Sequence, residues 1–373
     1  MRVRGPERGP VTLAAIMLIY AGIDEAGYGP LLGPLCVAAS IFVVDDDTSS
    51  GAGAGAATGA RSSAAGAATD PRPQRFPDLW NELGHAVCRS PADAKRRIAV
   101  EDSKKLKGAR DARSHPLRHL ERGVLAFMGA LARHGTEVKP WSGADVPLDD
   151  DQLLARLGAC LPSAEIAPWY SGPSPLPLAH DVGQLEIAAA SLRRCERVRC
   201  AALLCEVVDV AEFNRHLALS RSKASVSFDS VVRLVNSIWN TWPTVHPRVV
   251  IDRQGGRTMY REPLSMCFPE AEITILGETE RLSRYRLERG GSTITLSFET
   301  ESEAAHLPTA LASMTAKYIR ELLMLRFNRW FAGHVPEIKP TAGYFQDGQR
   351  WLGEMETAIE SLGVDRTGLV RNG

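Results

Sequence analysis

Asp24 and Glu25 stand side by side where an apolar run, Leu13 to Asp24, gives way to Gly27, Gly29, Pro30, Gly33 and Pro34. Two carboxylates at a strand end, followed by closely spaced glycines, set acid oxygens beside exposed backbone N–H groups. That is a setting for a hard divalent cation and a phosphate. Consecutive strand residues point to opposite faces, so both acids reach one site only if the strand twists or ends there. Gly27 and Gly29 allow this, although an acidic strand end before a turn is often merely solvated. Asp252 closes a second apolar run, Arg248-Val249-Val250-Ile251, and enters Arg253-Gln254-Gly255-Gly256. Sheets build sites where strands end, which makes Asp252 a partner for Asp24; alone it is more often a turn or cap residue. Ser313, Lys317 and Glu321 recur at i, i+4 and i+8, a narrow polar stripe on a helix whose apolar surface comes from Met314, Tyr318, Ile319, Leu322, Leu325 and Phe327. A carboxylate on such a helix needs a cation, either Lys317 in an ion pair or a metal held jointly with Asp24 and Asp252.

Strands and helices must alternate to bring these positions together. Leu13–Asp24 and Leu35–Val44 read as two strands around a tight connection. Helical spacing covers 116–134 and 184–197, a strand follows over 198–210, a helix over 227–239 and a short buried strand over 248–252. Further strands are expected at 271–276 and 292–298, then a long helix from 309 to about 331. This order predicts an α/β layer structure with one core over 11–373. Residues 1–10 read as a flexible tail, and 48–75, opening with a run of Gly, Ala, Ser and Thr, as a disordered insertion. The Pro-rich stretch at 160–180 reads as an irregular loop whose Trp169 and Tyr170 dock on the core in preference to stacking on bases.

Lys+Arg and Asp+Glu both number 44, so no blanket attraction to nucleic acid or anionic lipid exists and any steering falls to local patches. One such patch is Lys104, Lys105, Lys107 and Arg110; others are Arg193, Arg194, Arg197 and Arg199, and Arg281, Arg284 and Arg286. Hydrophobic residues at 44% and charged residues at 24% exclude wholesale disorder and a collagen-like fibre. No apolar run is long enough to span a membrane. The run after the basic N-terminus imitates a secretory leader but leads straight into Asp24-Glu25, so it is read as a strand. The seven cysteines contain no C-x-x-C pair, and buried free thiols are expected rather than disulfides or zinc.

Several of these strings together resemble the type 2 ribonucleases H, the family of bacterial ribonucleases HII and HIII. Asp24-Glu25-Ala26-Gly27-Tyr28-Gly29-Pro30 is similar to their DEAGRGP signature, and Asp102-Ser103-Lys104-Lys105-Leu106 to their DSKKL motif. Ile251-Asp252 falls where their third acid ends a strand. Ala312 to Glu321 resembles their ASxxAKxxRD helix, and Gly343-Tyr344 the start of their GYGT motif. The resemblance runs from about residue 15 to 350, outside the insertions. It implies a ribonuclease H-like fold, a central mixed sheet flanked by helices. It also implies Mg²⁺ or Mn²⁺ held by the catalytic acids Asp24, Glu25, Asp252 and Glu321, with hydrolysis of RNA paired to DNA. Gly27, Tyr28, Gly29, Ser103, Lys104, Lys105, Lys317 and Tyr344 are the implied nucleic-acid contacts. A cytoplasmic enzyme with no membrane and no obligate protein partner is expected. Three departures bear on substrate choice: Tyr28 replaces an arginine, Glu321 an aspartate, and Phe345-Gln346 a Gly-Thr pair. The rivals are a non-catalytic hybrid-binding protein on the same fold and a nuclease for another structured nucleic acid.

Overall fold

Met17–Ala26 (β1) is buried on both faces, which is why it reads as a continuous apolar run rather than an alternating one. In the computed structural model, which describes residues 17–45, 76–108, 114–131, 149–253 and 255–372, β1 is an interior strand of a seven-stranded mixed sheet. The expected tail at 1–10, the insertion at 48–75 and Arg110 lie outside the described residues.

The other strands are Leu35–Asp45 (β2), Val198–Val208 (β3), Arg248–Asp252 (β4), Glu272–Glu278 (β5), Leu282–Arg289 (β6) and Ser292–Glu299 (β7). Their order across the sheet is β3-β2-β1-β4-β7-β6-β5. β1 pairs antiparallel with β2 and parallel with β4, and β4 pairs parallel with β7. The pairing with β2 runs to Ala26↔Cys36, so Asp24 and Glu25 lie inside the strand and not at its end.

Helices cover both faces. Ile19, Ala21 and Ile23 of β1 enter a core with Val231, Leu234, Ile238 and Trp239 of the helix Lys223–Thr241. Tyr20 enters the opposite core with Arg118–Gly129 (α1), Leu307–His334 (α2) and Phe345–Ser361 (α3). The 28-residue α2 is apolar almost all round because it is sandwiched between the sheet and outer segments. Its first turn presses on the sheet: Ser40 Oγ donates to the Pro308 carbonyl at 2.6 Å, and Gly22 leaves room for the Thr309 backbone. Among the described residues no helix is long and apolar enough to cross a membrane.

Strand β6, helix α3 and the helix Val210–Ser220 add to the expected elements. In β6, Ser283, Tyr285 and Leu287 point inward and the arginines between them are less buried, a two-residue alternation that its charge disguises. Cys36, Cys88, Cys200 and Cys205 are buried free thiols, whereas Cys160 is exposed.

The Pro-rich stretch is tied down by two buried charges. Trp169 and Tyr170 are buried, and Trp169 stacks on Phe331. Arg326 bonds to Asp150 and donates to the Tyr170 carbonyl at 2.7 Å. Glu121, fully buried on α1, accepts from the Leu178 and Ala179 N–H groups at 2.6 and 2.8 Å and from the Tyr318 hydroxyl at 3.1 Å. Burial pushes its carboxyl up, but His180 and these N–H donors outweigh that and hold it below the usual carboxylate range. A depressed folded pKa gives stability that is present above the unfolded value and lost as pH falls through the folded one. Glu121→Ala is therefore expected to cost about 3 kcal/mol at pH 7, with the difference from wild type shrinking below about pH 4. Urea melts of both proteins across that range check it; a constant difference would mean the carboxylate charge is irrelevant.

Candidate functional site

The parallel register Ile23↔Ile251 sets the next residues, Asp24 and Asp252, on neighbouring strands, and Asp252 in turn pairs with Glu299 of β7. Asp24 is buried on the α2 side, where Ser313 hydrogen-bonds its carboxylate and the Glu25 N–H donates to Oδ1 at 2.7 Å. Burial first, then the charges of Glu25 and Asp252, raise its carboxyl well above the usual range despite those two donors. Asp252 Oδ1 accepts from the Ser302 N–H and hydroxyl at 3.1 and 2.9 Å. Its carboxyl is pushed up to about 6 by burial and by Glu303.

Two neighbouring acids that both hold protons too tightly are carboxylates short of positive charge. Oxygen donors in that condition suit a hard cation. Among the described residues no three Asp, Glu, His or Cys side chains converge as a ligand cluster. What the fold offers is the acidic pair with Glu25 and Glu303 beside it.

Glu25, one pleat further, is less buried than Asp24 and acts on the Tyr28 and Tyr260 hydroxyls. Tyr28 is half-buried; burial and Glu25 raise its hydroxyl, and Arg257 works against them. The turn that follows has two kinds of glycine. Gly27, at φ +90°, lies against Pro34 and Arg320 with no room for a Cβ, whereas Gly29 is exposed with open space around it.

The helical stripe works one residue at a time. Ser313 bonds Asp24, and its Oγ lies 3.0 Å from the buried Ser103 Oγ, within hydrogen-bond reach, joining the acid to the short helix Ser103–Leu106. Asp102 caps that helix, leaving Lys104 and Lys105 exposed, the latter 2.7 Å from Glu101. Lys317 lies 3.1 Å from Glu321 and 3.4 Å from the Tyr344 hydroxyl. Lys107 reaches Glu321 at 2.7 Å. Burial pushes the Glu321 carboxyl up, but Lys317 and Lys107 outweigh it and hold it below the usual range. Glu321 is thus the partner of two lysines, the opposite condition to Asp24 and Asp252. Tyr344 is half-exposed, its ring 5.7 Å from Lys317 and 5.5 Å from Arg320.

No family model and no curated protein match this sequence. Solved structures do. The chain is similar to ribonuclease HII of Archaeoglobus fulgidus, solved as a complex with PCNA, at 14% identity and a TM-score of 0.37, covering 95% of this chain and 94% of that one. It is similar to Bst ribonuclease HIII, solved in complex with Mn²⁺, at 14% identity and a TM-score of 0.37, covering 95% of this chain and 66% of that one. Ribonuclease H2 of Pyrococcus horikoshii OT3 gives 12% identity and a TM-score of 0.35 over 94% and 92%.

Glu303, Lys107 and Arg257 complete the surroundings of the predicted residues. Glu303 sits in an acidic turn with Glu299 and Glu301 that reads as solvated surface, and only the pairing of β4 with β7 brings it to Asp252. Lys107 follows the lysine pair that the motif singles out, and its contact with Glu321 spans more than half the chain.

The raised Asp252 gives a pH signature with chelator present. A carboxyl whose folded pKa exceeds its unfolded one favours the fold most when protonated, and that advantage is lost as pH rises from about 4 to about 6. Asp252→Asn keeps the oxygen that Ser302 bonds and cannot ionise. Its stability relative to wild type is expected to climb over this window by on the order of 2 kcal/mol. Parallel denaturant curves at several pH values measure the climb, and a flat difference would contradict the assigned environment.

Proposed function

We propose that this protein is a metal-dependent endoribonuclease that cleaves the RNA strand of RNA/DNA hybrids, working in the cytoplasm without an obligate protein partner. The observation that carries this reading is the Asp24–Asp252 pair: two acids on adjacent parallel strands, both short of positive charge, beside a glycine turn and a lysine-bearing helix. Asp24, Asp252, Glu25 and Glu321 would hold Mg²⁺ or Mn²⁺. A divalent cation held by them would supply Lewis-acid chemistry, lowering the pKa of a bound water and offsetting charge at the scissile phosphate.

The chain's own residues supply the rest. Ser313 holds Asp24 in place from α2, and Ser302 holds Asp252. Lys104 and Lys105, exposed on the short helix that Ser103 opens, meet backbone phosphates. Gly27 and Gly29 let their main chain approach a ribose 2′-hydroxyl, which is what separates RNA from DNA. Tyr344 offers a half-exposed ring for the sugar or base beside the cut. Tyr28 offers one hydroxyl where arginine would offer several directed donors, which favours runs of ribonucleotides over a single one embedded in DNA.

The ion pairs of Glu321 favour a second reading, a hybrid-binding protein without turnover, because an acid already matched by Lys317 and Lys107 has less need of a cation. Purified protein incubated with Mg²⁺, Mn²⁺ or chelator on labelled RNA/DNA hybrid, a duplex holding one ribonucleotide, duplex DNA and single-stranded RNA separates the readings. Metal-dependent cutting of the hybrid alone supports the first; tight hybrid binding with no cutting under any metal supports the second. Glu321→Gln refines the result. If Glu321 is a ligand in the working state, the folded fraction of the variant loses roughly a hundredfold or more in rate, whatever the loss of its lysine pairs does to the melt. If it only matches the lysines, the variant leaves them unpaired, melts lower and cleaves normally where folded.

A further inference from the structure

Beneath the glycine turn lie two buried arginines that the acidic site does not use. Arg320 of α2 is fully buried and Arg371 is 5% exposed. Among the described residues every side-chain hydrogen bond they make goes to a main-chain carbonyl. Arg320 Nη2 donates to Leu32 and Ala342 at 3.3 and 3.0 Å, and Arg371 donates through Nε to Gly33 at 3.0 Å and through Nη1 to Gly27. Arg320 Nε and Nη1 and Arg371 Nη2 are buried with no hydrogen-bond partner among the described residues. Burial, and next the charge of Arg320, lower the Arg371 guanidinium to about 9.

Two facing cations in a core weaken a fold, and apolar side chains would close the same space at lower cost. What guanidiniums do and apolar groups cannot is grip carbonyls. The grip joins three segments far apart in sequence. Leu31 and Leu32 donate their N–H groups to the Gly343 carbonyl at 2.8 and 3.0 Å, and the Arg371 N–H donates to Leu31 at 2.9 Å. Val370 bridges Leu32, and Arg320 also lies under the Tyr344 ring. In a trans peptide the N–H points opposite to the preceding C=O. Drawing the Gly27 carbonyl to Arg371 therefore aims the Tyr28 N–H the other way, away from the two arginines.

We propose that Arg371 is a positioning residue, which with Arg320 fixes the Gly27–Gly29 main chain and Tyr344 as one unit, so that preference for ribose over deoxyribose depends on it. The inference rests on the proposed reading that this face meets a hybrid.

The test uses the full chain, Arg371→Met and Arg371→Lys. Binding to an RNA/DNA hybrid and to duplex DNA of the same sequence is measured by anisotropy with chelator present, and amide exchange is followed at Leu31 and Leu32. In Arg371→Met the hybrid affinity is expected to fall about tenfold with duplex affinity unchanged, and the two amides to exchange at least about tenfold faster. Arg371→Lys, which keeps the cation but cannot span both carbonyls, is expected to fall between. A generally weakened fold would lower both affinities together and leave the preference intact, and that result overturns the proposal, as does unchanged exchange at Leu31 and Leu32. If Arg371→Met does not fold, Arg371→Lys is read against the same two outcomes. Wild-type protein without any hybrid preference refutes the nuclease reading itself and with it the discrimination role, whatever the exchange rates show of the grip.

Discussion

Asp24→Asn is expected to give a folded protein that is more heat-stable than wild type at neutral pH and has lost hybrid cleavage. Both effects come from one environment. Asp24 is buried beside two other acids, and its carboxyl is raised well above the usual range, so at pH 7 the ionised form is a load on the fold. The amide keeps the shape and an oxygen for Ser313 and removes the charge. Cleavage should fall roughly a thousandfold or more, the scale expected when a group acts only on the developing charge of the transition state. Divalent cation links the two readouts. Mn²⁺ or Mg²⁺ should raise the wild-type melting temperature, because an ion that binds only the folded state shifts the equilibrium, and the variant should show little of this rise. Melting curves with and without metal, and cleavage of labelled hybrid by the same samples, decide the matter. Wild-type cleavage by the variant would sink the assignment of the site.

Gly22→Ala should be the most damaging single methyl group in the molecule's centre. A Cβ at Gly22 would stand 2.1 Å from the Thr309 nitrogen and 2.3 Å from the Pro308 carbonyl carbon, both main-chain atoms of the first turn of α2. Neither can rotate away, so the helix must lift from β1. Overpacking of this kind costs about 3 kcal/mol or more. Because Ser313 lies one turn further along α2 and bonds Asp24, lifting the helix also spoils the site. Gly29→Ala is the matched control: its Cβ meets nothing within 4 Å, and a fold change near zero is expected. Urea midpoints for the two variants test the contrast, and equal values would show that the contact between β1 and α2 yields more than its backbone atoms allow.

Strands β1 and β4 and helix α2 were legible because each is an apolar pattern bounded by charge or glycine; Asp252 does end β4, whereas Asp24 sits inside β1, whose pairing with β2 runs on to Ala26. Their nearness follows from one parallel pairing, which strand-end logic anticipates. Less legible was which charge neutralises which. Lys317 and Glu321 are visible as an i, i+4 pair, but Lys107 completes that pair from more than half the chain away. Glu303 and Arg371 carry no local signal at all, since an acid in a polar turn and an arginine near the sequence end look like solvated surface until packing buries them. Strand β6 was missed because its arginines mask the alternation of Ser283, Tyr285 and Leu287. Trp169 and Tyr170 illustrate the reverse case, where large aromatic groups among prolines have too much apolar area to leave in water and dock as composition implies.

The parallel pairing of β1 with β4 also sets a clock. A strand made early can find its partner only after more than half the chain has been synthesised, and closing so long a loop slows folding. Until then β1 can zip to β2 by a short connection and wait, with the edge destined for β4 unpaired and Asp24 without its neighbouring acid. The nascent chain consequently lacks the assembled acidic pair for most of its synthesis and is most prone to sticking at that waiting edge. A pulse of synthesis followed by limited proteolysis should find partial protection of 17–45 early, from the pairing with β2, and full protection only in step with that of 248–334.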